Sequence, residues 1–262
     1  MFEFHADRKR YFDIQLLNAE KYILPFIESN FEITKGMRVM EIGCGEGGVL
    51  KAFVDKGCEG VGVEFDLSRI ENGSKYLEDD IKNGRISFVA KDIYDTNVES
   101  LGGRFDIIVL KDVIEHIHNQ ERLLARLKDF VKSSGIIFFG FPPWQMPFGG
   151  HQQLSKTSLS KIPYFHLFPR PVYKGILKLF KEPEHVINDL LEIKDTGISI
   201  ERFEKIVKRT NYKIVDKIHY LFNPIYEYKF NLKPKKQNPL IRKIPYIRNY
   251  LTTCVYYMIK GK

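Results

Sequence analysis

The spacing of apolar residues changes along the chain, and the changes mark out elements. Leu16, Ala19, Ile23 and Phe26 recur three and four residues apart, which predicts an amphipathic helix over residues 7–29. A short apolar run, MRVMEI (37–42), predicts a strand that leads straight into glycines. VLKAFVDKG (49–57) has helical spacing and stops at Gly57, a residue suited to a helix C-cap. EGVGVEF (59–65), RISFVA (85–90), RFDIIVLKD (104–112) and SGIIFFGF (134–141) predict four further strands, with helices over 68–82 and 120–132 between them. The unbroken apolar run in the fourth strand implies burial on both faces.

Alternation of strand and helix from 37 to 141 predicts an α/β fold with a doubly wound parallel sheet. The rhythm then breaks. Residues 142–197 are rich in Pro, aromatics and Lys and predict a mostly helical lid insert. SIERFEKIVKRT (199–210) reads as a helix. YKIVDKIHYLF (212–222) and IYEYKF (225–230) alternate polar and apolar positions around Asn223-Pro224, which predicts an antiparallel final hairpin. The expected fold is therefore a Rossmann-like seven-stranded sheet. Its expected organisation is an N-terminal helix and lid (1–35), a core (36–141 and 198–232), the insert (142–197) and a basic aromatic C-terminal helix (233–262).

The rest of the composition narrows the class. No apolar run reaches the roughly 18 residues of a membrane span, and the opening MFEFHADRKR does not read as a secretory signal. Cys44, Cys58 and Cys254 have no metal-ligand spacing and form no even-numbered framework, which suits a reducing, cytoplasmic setting. The net charge is +8, but after Glu227 there are nine bases and no acid. The remainder of the chain is close to neutral. A local basic segment of this kind suits an acidic ligand or surface, or a solvated tail, more than a general nucleic-acid coat.

The chemistry starts at VMEIGCGEGG (39–48). Gly43, Gly45 and Gly48 satisfy G-x-G-x-x-G, which lets a ligand approach the backbone. That alone fits a dinucleotide or an adenosyl cofactor. Glu41 argues between them. A carboxylate at the end of the first strand repels a pyrophosphate and attracts an ammonium or sulfonium; its alternative is an ion pair at the sheet edge. Glu64 ends the second strand at the offset where an acid accepts from both ribose hydroxyls, while Asp66 suits a helix cap. Asp92 follows the third strand, where it could accept from an exocyclic adenine amine while the Ile93 N–H meets a ring nitrogen; it could also be a turn residue.

Together Glu41, Gly43, Gly45, Glu64, Asp92 and FDIIVLKDVIEH resemble the class I S-adenosylmethionine-dependent methyltransferases, closely over about 36–141. LKDVIEHI followed by RLLARLKDFVKSSGIIFFGFPP resembles the branch with the ubiquinone-pathway O-methyltransferases, and GGHQQ and KIPYFHLFPRPVY resemble inserts of uncharacterised bacterial methyltransferases. The resemblance implies S-adenosylmethionine as cofactor. Glu41, Gly43 and Gly45 would hold its amino-acid end, Glu64 the ribose, Asp92 and Ile93 the adenine, and Lys111 would lie near the methionine. Enzymes that methylate base amines usually carry an Asn- or Asp-Pro-Pro-aromatic motif at the fourth strand. Here Pro142-Pro143-Trp144 follows the fifth, which favours an oxygen acceptor.

A hydroxyl acceptor needs its proton taken. His151, in FGGHQQ, is the first candidate, with His116 and His166 behind it; packing is the alternative for each. Asp112, Glu115 and His116 share one face of a helical turn, and related O-methyltransferases with a Glu-x-x-Glu-His pattern bind a divalent metal, with His151 available as a remote ligand. Packing is the commoner role for such a pair, and no metal is assigned. The insert has six bases between 142 and 181 and no acid, interleaved with Tyr164, Phe165, His166, Phe168 and Tyr173. These suit an acidic acceptor, or a cap with a wet rim. In 244–260, Ile244, Ile247, Leu251, Val255 and Met258 form a helical stripe that suits peripheral contact of 239–262 with an anionic membrane, or docking on protein. The reading is O-methylation of a small or glycan-like acidic acceptor. Its rivals are an RNA ribose methyltransferase, with nucleic acid the less favoured partner, and a non-catalytic cofactor-binding subunit.

Overall fold

The computed structural model describes residues 7–262; residues 1–6, with which the expected N-terminal unit begins, lie outside the described residues. The chain opens with α1 (Arg8–Asn18), capped by the Asp7 side chain on the Arg10 N–H. It runs through a π-helical turn (Ala19–Ile23) into α2 (Leu24–Glu28). Then β1 (Arg38–Ile42), α3 (Gly48–Asp55), β2 (Glu59–Glu64), α4 (Leu67–Tyr76), α5 (Glu78–Lys82) and β3 (Ile86–Ala90) follow. β4 (Phe105–Lys111), α6 (Gln120–Phe130) and β5 (Val131–Phe141) complete the alternating half. The insert contains α7 (Arg170–Leu179) and α8 (Glu184–Thr196), which enclose a small core of their own around Phe165, Tyr173, Leu177 and Leu190.

After α9 (Ile200–Arg209) the chain forms β6 (Tyr212–Phe222), α10 (Tyr226–Phe230), β7 (Lys235–Lys236), α11 (Pro239–Arg242), α12 (Ile247–Tyr250) and β8 (Cys254–Gly261). The sheet order is β3-β2-β1-β4-β5-β8-β6-β7. β1 to β5 pair in parallel; β8 lies antiparallel between β5 and β6. The expected α/β sheet with an antiparallel end is present, with an eighth strand added by the two-residue edge strand β7. Strand order reverses between β1 and β4, and ligands of such sheets bind at the carboxyl ends there.

Two expectations fail at the C-terminal end. IYEYKF is not the second strand of the hairpin. It is the helix α10, drawn to α1 by packing of Ile225, Tyr226 and Tyr228 around Ile14 and Tyr11, and to the π-helical turn by Glu227 accepting from Lys21 (3.0 Å) and Tyr22. The partner of β6 is instead β8, from the segment expected to be an interfacial helix. Val255, Tyr257 and Ile259 enter the core on one face of the sheet, and Cys254, Tyr256 and Met258 the core on the other. A strand buried on both faces is apolar at every position, so helical spacing can be found in it by chance. Val255 and Met258 are therefore core residues, not membrane-facing ones. Among the described residues no helix is long and apolar enough to cross a membrane.

Candidate active site

The glycine loop at the end of β1 is held in a shape that a side chain would disturb. Gly43 has a φ of 65°, and a Cβ there would lie 2.6 Å from Val113 Cγ2. α1 presses on the loop from above, since a Cβ at Gly48 would meet the Phe12 carbonyl oxygen at 2.5 Å. Glu64 fixes the loop from the next strand. Its Oε2 accepts from the Gly45 N–H at 3.0 Å, and its Oε1 from the N–H groups of Phe65 (2.9 Å) and Asp66 (3.0 Å). Three of about four lone-pair positions are thus taken, and the carboxylate is held at the carboxyl end of β2. Asp66 caps α4 by accepting from the Ser68 N–H at 3.0 Å.

Glu41 is buried beneath the loop, and its Oε2 accepts from the Leu50 N–H of the first turn of α3 at 2.9 Å. Burial drives its carboxyl well above the usual carboxylate range; the Leu50 bond opposes that and nearby Glu64 adds to it. A cation in the cavity would restore the charge. The cavity holds about 90 Å³ and is lined by Tyr11, Gln15, Glu41, Gly43, Gly45, Arg69, Lys111 and Asp112 among others. The structure thus brings Glu41, Gly43, Gly45 and Lys111 together, with Glu64 directly behind Gly45.

Asp92 and Ile93 do not line this cavity. They stand at the carboxyl end of β3, farther along the same edge of the sheet. Asp92 accepts from the Tyr94 N–H at 2.9 Å and caps a single turn, and Ile93 is buried.

Lys111 is buried and pairs with Asp112. Burial works against its ammonium, but the Asp112 carboxylate overcomes that and raises the amine. Asp112 has a φ of 56°, uncommon for a residue with a side chain. Beside it, the Lys229 Nζ from α10 lies 5.0 Å from the Tyr11 ring centre, and burial lowers this amine to about 8 against the pull of Asp112. Tyr11, Gln15, Arg69 and Lys229 were not singled out from the sequence. They come from a covering helix, from α4 and from α10, with no motif to mark them.

The histidines separate. His116 and His151 have ring centres 4.9 Å apart, and they and Glu115 present donor atoms within 4.8 Å of one another. Glu115 is buried with neither carboxylate oxygen bonded beyond its own residue. Its carboxyl is driven well up by burial and by Asp112. This donor set is chemically fit for a divalent cation, with one carboxylate and two imidazoles. Burial lowers the His116 imidazole despite Asp112. His166 has no place here. It is buried in the insert, with Nδ1 2.8 Å from Gln152 Nε2 and Nε2 2.8 Å from the Trp144 carbonyl oxygen. Phe165 and Tyr173 are likewise spent on the insert's core, and Arg170 on Asp195.

This is the glycine cradle of a nucleoside-binding α/β domain, with a buried acid beneath it and a second acid behind it. The sequence profile of the family described as "Methyltransferase domain" matches residues 16–167, more than half of the chain. The chain belongs to this methyltransferase family. It is 28% identical over 126 residues to the ubiquinone biosynthesis O-methyltransferase of Coxiella burnetii, covering 48% of this chain and 51% of that protein. With the protein of the same name from Rickettsia prowazekii it shares 25% identity over 117 residues, 44% of each chain. The chain thus matches about half the length of these curated relatives. Among solved structures, a S-adenosylmethionine-dependent methyltransferase from Clostridium acetobutylicum has a TM-score of 0.57 at 12% identity, over 94% of this chain and 92% of that one. Magnesium protoporphyrin IX methyltransferase from Synechocystis, solved with bound S-adenosylhomocysteine, has a TM-score of 0.56 at 13% identity, over 100% and 89%. At these identities the likeness is one of fold.

Proposed function

We propose that the protein transfers the methyl group of S-adenosylmethionine to an oxygen of a small or glycan-like acidic acceptor. The observation that carries the reading is the cradle itself: a glycine loop with a buried, cation-seeking Glu41 where a dinucleotide would place its pyrophosphate. Glu41 would take the ammonium or sulfonium side of the cofactor, and Arg69, which lines the same cavity with its Nε 3.4 Å from Asp66 Oδ2, its carboxylate. Glu64 would accept from the ribose through its remaining lone-pair position, and Asp92 and Ile93 would meet the adenine. The cofactor supplies an electrophilic methyl on sulfur.

The acceptor would enter where Tyr11, Asp112, Lys229, His116 and His151 converge. Its oxygen would take the methyl, sulfur would keep the electron pair of the bond given up, and a base in this group would receive the acceptor's proton. His151 is the base we favour, with neutral His116 beside it. Lys229 supports an acidic acceptor, because a cation in this place offsets the charge of a carboxylate or phosphate. Incubation with methyl-labelled S-adenosylmethionine tests the reading against hydroxylated carboxylic acids, hexuronates and bulk RNA. Label in an acidic hydroxyl compound supports it. Label in RNA alone overturns it in favour of ribose methylation. Silence towards all, with stimulation of a partner enzyme, would identify a non-catalytic subunit.

The Glu115, His116 and His151 cluster favours a second reading, in which the two histidines hold a divalent cation with Glu115. Elemental analysis after dialysis against magnesium or zinc decides between them. A stoichiometric metal lost on His151→Ala supports the metal, and no retained metal leaves the histidines as base and neighbour.

A further inference from the structure

Residues 239–251 turn the usual arrangement of a protein surface inside out. Arg248 and Asn249 are buried. Arg248 Nε donates to Glu201 Oε1 at 2.8 Å and its Nη2 to Glu204 Oε2 at 3.0 Å. Asn249 Nδ2 donates to Glu201 Oε2 at 2.6 Å, while Asn249 Oδ1 accepts from the Ile200 N–H at 2.8 Å. The apolar residues face out instead: Leu240 is 73% exposed, Tyr246 70% and Ile247 53%, with Ile244, Tyr250 and Leu251 also exposed. Tyr246 stands at a φ of 63°, a backbone shape that a bulky residue keeps only when its surroundings impose it. Its N–H donates to Glu201 Oε1 at 2.9 Å. α9 thus pins the segment from below through its acids and leaves the apolar side chains in water. Scattered apolar residues on a surface need no account, but six within twelve positions, around a fully paired polar staple, do.

The flanking charge says what fits. Lys233, Lys235, Lys236, Arg242 and Lys243 are all exposed, and no acid follows Glu227. A second copy docked face to face would bring these bases onto each other. Tyrosine and isoleucine ringed by lysine and arginine match the interfacial layer of an anionic bilayer. The insert joins the same surface, since the Tyr164 hydroxyl donates to the Tyr250 carbonyl oxygen at 3.0 Å. We propose that residues 239–251, with the insert held beside them by Tyr164, seat the protein on the surface of an anionic membrane. This is a hydrogen-bonded knuckle, not the helix that the sequence pattern predicts for 244–260, and it does not depend on which acceptor is methylated.

Sedimentation of the full chain with vesicles tests it. Vesicles of phosphatidylcholine and phosphatidylglycerol in equal parts should carry the protein down, those of phosphatidylcholine alone should not, and salt should release it. The double variant Leu240→Glu, Ile247→Glu should lose at least about tenfold in binding, with its melting temperature and its affinity for S-adenosylhomocysteine unchanged. A second variant, Lys235→Gln with Lys236→Gln, Arg242→Gln and Lys243→Gln, leaves the apolar residues in place and should lose the preference for anionic vesicles. Equal sedimentation of the wild type and both variants overturns the proposal. So does a dimer that the glutamates abolish without any vesicle binding.

Discussion

At the scale of single residues, the proposed distinction between cofactor classes rests on Glu41. Its buried carboxyl has a proton affinity raised above that of an ordinary glutamate. A bound cation would lower it again, so binding of S-adenosylmethionine should release a proton at pH values between the two, and affinity should rise with pH across that window. Calorimetry in buffers of different ionisation enthalpy measures the proton directly. Glu41→Gln keeps an acceptor for the Leu50 N–H and removes the charge. It should weaken binding by about 1.5–3 kcal/mol, roughly ten- to a hundredfold, and abolish the proton release. Glu41, Gly43, Gly45 and Glu64 were legible in the sequence because loop and strand ends fix them locally. Tyr11 and Arg69 were not, because tertiary packing alone brings them to the cavity, and it likewise brings Lys229 beside Tyr11.

At the scale of elements, the alternating half of the chain could be read from its periodicity, and the last two elements could not. α10 and β8 exchanged their expected types for one reason: the slot beside β5 takes a strand apolar on both faces. CVYYMI supplies one, and IYEYKF, with Glu227 and Lys229 on it, does not. Met258 is fully buried in β8. Met258→Asp would leave an unpaired charge there and should remove on the order of 4 kcal/mol or more in urea unfolding. A surface helix would tolerate the same change. The contact between α1 and the glycine loop makes a second prediction. Gly48→Val drives a side chain into the Phe12 carbonyl, and should lose about 1–3 kcal/mol of stability together with cofactor affinity.

At the scale of the whole molecule, two buried histidines set the acid limit. Burial lowers the imidazoles of His166 and His219 to about 4. Both stay neutral in the folded chain at pH values where the unfolded chain takes up protons. Their neutrality is without penalty above the ordinary value near 6.5, and stability falls as pH drops from there towards 4. The loss should be on the order of 2–3 kcal/mol for each. Thermal melts of His166→Gln and His219→Gln should show a shallower decline across that range. The basic knuckle and the near-neutral body belong to the same scale. They give one molecule two faces, of which the carboxyl edge of the sheet is the one we propose for the cofactor.

We propose that this edge is built for an amino acid joined to adenosine and not for a pyrophosphate. Titration calorimetry of the wild type and of Glu64→Ala with S-adenosylhomocysteine and with NADH tests it most directly. Saturable binding of S-adenosylhomocysteine is expected, with none of NADH, and the binding should be lost in Glu64→Ala. Binding of NADH alone, or an unchanged affinity in Glu64→Ala, would contradict it.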